Sequence, residues 1–102
     1  MSTIRTQLVN ELNELHNIKK LVGSYEDYER VVKLIIVKER QLTELLSKQL
    51  NDSVPEYVDA IKDAKKATTA AKAAVKDIAK IEGYIDKAAK AIKALAFLLR
   101  LF

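Results

Sequence analysis

His16 is the chain's one histidine, and there is no cysteine. Thiolate ligation, thiolate nucleophiles and disulfides therefore have no residues to use, and a histidine metal site lacks a second imidazole. Glu11 and Glu14, within a turn or two of His16, read as ordinary surface carboxylates of an amphipathic helix. His16 reads as a solvent-facing or structural residue flanking the stripe near Val9 and Leu12. Glu26-Asp27 could suggest paired acid–base work, but a helix's first turn already explains them, because its exposed N–H groups favour negative charge. There is no glycine-rich phosphate loop, nucleophile elbow or HExxH pair. The expectation is a protein with no catalytic residue, cofactor, metal or small-molecule substrate.

The remaining chemistry is charge and apolar surface. Residues 1–53 carry eight basic and eight acidic side chains, and 54–102 carry ten and six, so the net charge of +4 lies wholly in the second half. Asp59–Lys62, Asp63–Lys66, Asp77–Lys80 and Asp86–Lys90 stand three or four residues apart, where opposite charges support a helix. Lys65, Lys72 and Lys76 have fewer acidic neighbours and could meet phosphate. No aromatic side chains interleave with the lysines as base-stacking platforms, so nucleic-acid binding is disfavoured. The segment from Lys87 (KAAKAIKALAFLLRLF) has the pattern of an interfacial amphipathic helix, which leaves a membrane surface as a possible partner.

Helices must position all of these residues. The chain has 102 residues, enough for one domain, and is 49% hydrophobic, too apolar for disorder. Two glycines and one proline provide too few turns for a β-sandwich or barrel. The fold class expected is all-α, an antiparallel hairpin or bundle of three long helices at about 2–22, 24–51 and 55–101. Ile4, Leu8, Leu12, Leu15, Ile18 and Val22 form the first stripe. Ser2 is its expected cap and Gly23 its stop. Ser24 caps a second helix with Asp27 in a capping-box position. Tyr28, Val31, Val32, Ile35, Leu42, Leu45 and Leu46 form its expected buried stripe. VVKLIIV at 31–37 has strand-like composition, but helix-forming flanks decide it as helix. Asn51-Asp52-Ser53-Val54-Pro55 is a clear break, with Ser53 the expected cap and Pro55 tolerated in a first turn.

From Glu56 onward a seven-residue repeat runs nearly to the last residue. One series is Tyr57, Ala64, Ala71, Ile78, Ile85, Ile92 and Leu99. The other, three residues on, is Ala60, Ala67, Ala74, Ile81, Ala88, Leu95 and Phe102. Sustained spacing of this kind is a coiled-coil seam. It passes through Gly83 unshifted, so one helix of about 70 Å is expected. The alternative is a third helix split at Gly83, giving a compact four-helix bundle. A tight turn at 51–54 would set Val31–Lys38 against Ala67–Ala74, bulk against small residues. Tyr25, Tyr28, Tyr57 and Tyr84 read as core-edge residues with wet hydroxyls.

Three extended helices would leave the seam partly uncovered. The expected partner is therefore a second copy or another helical protein, met through Ala60, Ala64, Ala67, Ala71, Ala74, Ile78, Ile85, Ile92 and Leu95. The apolar terminal segment, Phe97, Leu98, Leu99, Leu101 and Phe102, would extend that surface. The rival expectation is a cationic accessory factor contacting an anionic membrane or nucleic acid through 62–102. Residues 1–20 do not read as a signal peptide, and no apolar run approaches the roughly 20 residues of a membrane span. A cytoplasmic location, or a place in a larger assembly, is the default expectation.

Overall fold

The computed structural model describes residues 3–102. They form four helices: α1 (Ile4–Leu21), α2 (Tyr25–Leu46), α3 (Pro55–Lys76) and α4 (Ile81–Arg100). A single 3-10 turn, Ile78–Lys80, precedes α4. The expected all-α bundle is present, and the chain folds back within the region expected to be one long helix.

The break falls at Asp77, not at Gly83. Asp77 leaves the helix with φ −146° and ψ 98°, and its carboxylate accepts from the Ala79 N–H at 3.2 Å. A short acidic side chain that binds its own neighbouring backbone competes with the helical ladder. Gly83 lies inside α4, exposed, with nothing within 4 Å of where a Cβ would stand.

The other ends follow local chemistry. The expected cap Ser2 lies outside the described residues; Thr3 accepts from the Thr6 N–H at 3.1 Å. Ser24 accepts from the Asp27 N–H at 3.1 Å, as its spacing predicts. The second helix ends at Leu46 rather than near 51, and Ser53 is not a cap. Its N–H and hydroxyl instead donate to Asn51 Oδ1, and Pro55 starts α3 behind Val54.

Neighbouring pairs are α1 with α2, α1 with α3, α3 with α4 and α2 with α4. Helices α2 and α3 thus lie across a diagonal, which corrects the expected pairing of Val31–Lys38 with Ala67–Ala74. The reason is the linker. Eight residues, 47–54, separate the helices, enough to cross a diagonal of about 14 Å between helices packed about 10 Å apart. The bulk opposite the alanines comes instead from α1 and α4. Ile4, Leu8, Leu12, Leu15 and Ile18 of α1 join Ala60, Ala67, Ala71 and Ala74 of α3 in one core. Close packing of large against small is what a dense interior demands. On α2, Val31, Ile35 and Leu45 are buried, whereas the expected stripe members Tyr28 and Leu46 are exposed. The bundle measures 40 × 20 × 19 Å.

Candidate functional site

Two polar residues sit on apolar stripes, and they meet. On α1, Glu11 follows Leu8 by three residues; on α2, Lys38 follows Ile35 by three. Both side chains are 1% exposed. Lys38 Nζ donates to the Glu11 carboxylate at 2.8 Å. From α4, the fully buried Tyr84 hydroxyl donates to Glu11 Oε2 at 2.6 Å. Three helices therefore converge on one carboxylate. Glu11 is not the surface residue expected, and Tyr84's hydroxyl is not wet. The signal was present in the spacing: stripe positions occupied by opposite charges on consecutive helices.

Burial governs the titration of the cluster. Loss of solvent lowers the Lys38 ammonium below its usual range, opposed by the charge and hydrogen bond of Glu11. Burial also drives the Tyr84 hydroxyl well above its usual range, and the neighbouring Glu11 charge pushes the same way. Tyr84 is thus a fixed donor. Nearby, Gln41 Nε2 donates to the Ile92 carbonyl at 3.0 Å, while its Oε1 is buried without a partner. The cavity beside Glu11, Lys38 and Gln41 is about 10 Å³, walled by Ala60, Ala64 and Leu95. A space of that size admits about one water and no organic substrate.

The expected interface residues divide sharply. Ala60, Ala64, Ala67, Ala71, Ala74, Leu95, Leu98 and Leu99 are buried in the chain's own bundle. The surface they were expected to offer a partner is already covered by α1 and α4. Ile78, Ile85 and Ile92 are half-buried. In α4 the buried set runs Ile81, Tyr84, Ala88, Ala91, Leu95, Leu98 and Leu99. Ile81, Ala88, Leu95 and Leu99 keep the expected seam positions, whereas Tyr84 and Ala91 take the places expected of Ile85 and Ile92.

Phe97, Leu101 and Phe102 remain outside, at the end of the bundle where α2 and α4 finish and α3 begins. Leu46 and Val58 are exposed at that same end, and all five are 43–56% exposed. Phe97 borders a groove between α3 and α4 lined by Glu56, Asp59, Asp63 and by Lys62, Lys66, Lys90 and Lys93. Lys48 donates to the Leu99 and Phe102 carbonyls at 2.9 and 3.2 Å, satisfying the end of α4. The opposite end exposes Leu21, Tyr25 and Tyr28, of which the tyrosines keep a polar tip for water.

The lysines of α3 and α4 face solvent as expected. The expected i,i+3 and i,i+4 pairs with Asp59, Asp63, Asp77 and Asp86 are not closed. Ion pairs among the described residues involve Arg30, Lys38 and Lys48. Exposed pairs return little for fixing two long side chains, so this is unsurprising. His16 is exposed. Among the described residues no group of three His, Asp or Glu could hold a metal, and no helix is long and apolar enough to cross a membrane. No protein-family model, curated protein or solved structure matches this chain.

Proposed function

We propose that the chain is a non-catalytic helical interaction protein that docks on protein, a second copy or another helical chain, through the apolar end of its bundle. The observation that carries this reading is that Leu46, Val58, Phe97, Leu101 and Phe102, five of the ten large apolar side chains exposed among the described residues, all stand toward one end of the bundle. Exposed apolar clusters of this kind are costly in water and mark contact surfaces. The groove beside Phe97 bears carboxylates and ammonium groups together, a rim suited to a protein surface of mixed charge. The buried Glu11–Lys38–Tyr84 cluster has room for no substrate, which supports a binding role over a catalytic one.

Light scattering over a range of protein and salt concentrations tests this. Salt-tolerant association that Phe97→Ser with Phe102→Ser abolishes, with melting unchanged, is the expected result. A chain that stays monomeric at every concentration, and binds anionic vesicles only at low salt, would overturn it in favour of the cationic alternative. One feature supports that alternative: Lys65, Lys66 and Lys87 surround Thr69, Ala70 and Ala73 with no carboxylate among them. Such a contact would weaken steeply with ionic strength.

A further inference from the structure

We propose that residues 77–80 are a hinge through which two copies of this chain exchange α4, producing a swapped dimer in which 55–100 runs as one helix. The proposal stands apart from docking at the bundle end and needs none of its residues.

Very little separates α3 from α4. The Asp77 N–H still donates to the Ala73 carbonyl at 2.9 Å, so the helical ladder reaches the break itself. Asp77 then turns extended, and one 3-10 turn later α4 begins. No proline or glycine occupies 77–80. Straightening this link puts Ala74, Ile78, Ile81 and Ile85 on one stripe at three- and four-residue spacing, continuous with Ala67 and Ala71. Ile78 and Ile85, half-buried in the compact chain, would then meet the same residues of the partner where two straight helices cross.

The occupant is a second copy because α4 is held by specific groups, not by apolar area alone. Tyr84 must find Glu11, the Ile92 carbonyl must find Gln41, Glu82 must find Arg30 and the Leu99 carbonyl must find Lys48. An identical α1–α2–α3 unit supplies all of them in register. Compact and swapped forms therefore share their contacts. They differ in the hinge, which favours the straight helix, and in the association entropy, which favours the monomer. Short hinges with this balance are prone to exchange.

Asp77→Ala removes the side-chain hydrogen bond that holds the bend. Refolded at high concentration, it is expected to raise the dimer share, read by light scattering against the 11.5 kDa monomer, about tenfold over the unaltered chain. Ile78→Pro is expected to be monomeric throughout. Asp77 already has the extended backbone that a residue preceding proline adopts, while proline there would break a straight helix. A second measurement separates exchange from surface contact. Chains carrying only Arg30→Cys are refolded with chains carrying only Glu82→Cys and treated with a short bis-maleimide. Cross-links between the two variants in the dimer fraction are expected, since these positions on α2 and α4 are in hydrogen-bond contact. No cross-link between chains, or an Asp77→Ala protein monomeric at every concentration, would overturn the proposal. The cross-linked dimer should persist when Phe97→Ser and Phe102→Ser are added to both chains, and its loss there would also overturn the proposal.

Discussion

Helices α3 and α2, facing each other across the diagonal of the bundle, are held by opposite means. Helix α3 presents Ala60, Ala64, Ala67, Ala71 and Ala74, with Thr68 bonding to the carbonyls of Ala64 and Gln7 at 2.9 and 3.4 Å. Small side chains let α1 and α4 approach closely, and the adhesion is dispersion between well-filled surfaces. Helix α2 reaches its neighbours with long polar side chains. Arg30 meets Glu82, Gln41 meets Ile92 and Lys48, two residues past the helix, meets Leu99, at sequence offsets of 52, 51 and 51. That constant offset shows α2 and α4 running parallel and in register. Lys38 adds the buried pair with Glu11 on α1. Shape complementarity dominates on one diagonal corner and directional bonding on the other, so the two corners should fail differently.

The largest loss should come from the polar corner. Lys38→Met leaves the Glu11 carboxylate buried without its cation, and a destabilisation of about 3–5 kcal/mol is expected in denaturant titration. Combining it with Glu11→Leu should recover part of that loss, because both charges are replaced by apolar volume, while the Tyr84 hydroxyl left without its acceptor keeps about 1–3 kcal/mol of it. If the double variant is as damaged as the sum of the singles, the pair contributes net stability and the contrast between corners must be redrawn.

On the alanine corner the break comes from adding atoms. Ala71→Leu, at a position with no exposure, should cost about 1–3 kcal/mol by overfilling, measured by thermal melting. An unchanged melting curve would mean that α3 has room to spare.

Tyr84→Phe should cost about 1.5–3 kcal/mol, as expected for a hydrogen bond to a charged acceptor. It should also change the alkaline limb. Above pH 10 an unfolded tyrosine loses its proton while buried Tyr84 keeps it. The native state then holds more protons, so stability falls as pH rises, by about 1.4 kcal/mol per pH unit. Lys38 acts in the opposite sense below 10.5. Its lowered native value means that the unfolded state holds more protons there, so its contribution rises with pH up to that point. Above 10.5, of these two groups, Tyr84 alone still contributes a slope, and Tyr84→Phe should reduce the alkaline fall in melting curves recorded against pH.

The smallest effect is expected of Arg30→Ala. Its contacts with Glu82 and Asp27 lie at the surface, so salt should shrink what little stability they add.

Much of the fold was legible in the chain. The stripe of α1, the Gly23-Ser24 start of α2 and the Pro55 start of α3 follow from spacing and capping, which are local. Of the residues expected at an interface, the exposed Phe97, Leu101 and Phe102 were legible as apolar side chains on too many sides of one helix. The Glu11–Lys38–Tyr84 cluster was legible only in part: Glu11 and Lys38 stand on stripe positions, but each alone has a mundane surface explanation and only their meeting makes them exceptional. The bend at Asp77 was missed for a related reason. The heptad pattern there is compatible with a straight helix and a bent one, and one aspartate's capping bond is a small term beside it.

The amino-acid sequence by itself determined where helices form, which faces are apolar and where the excess positive charge lies. These depend on propensity, period and composition within a few turns. Tertiary structure alone decided which helices touch, that the alanines face this chain's own α1 and α4, and that a glutamate and a lysine are core residues. Those outcomes depend on the reach of an eight-residue linker across the diagonal and on simultaneous packing of four helices, neither of which any single segment encodes.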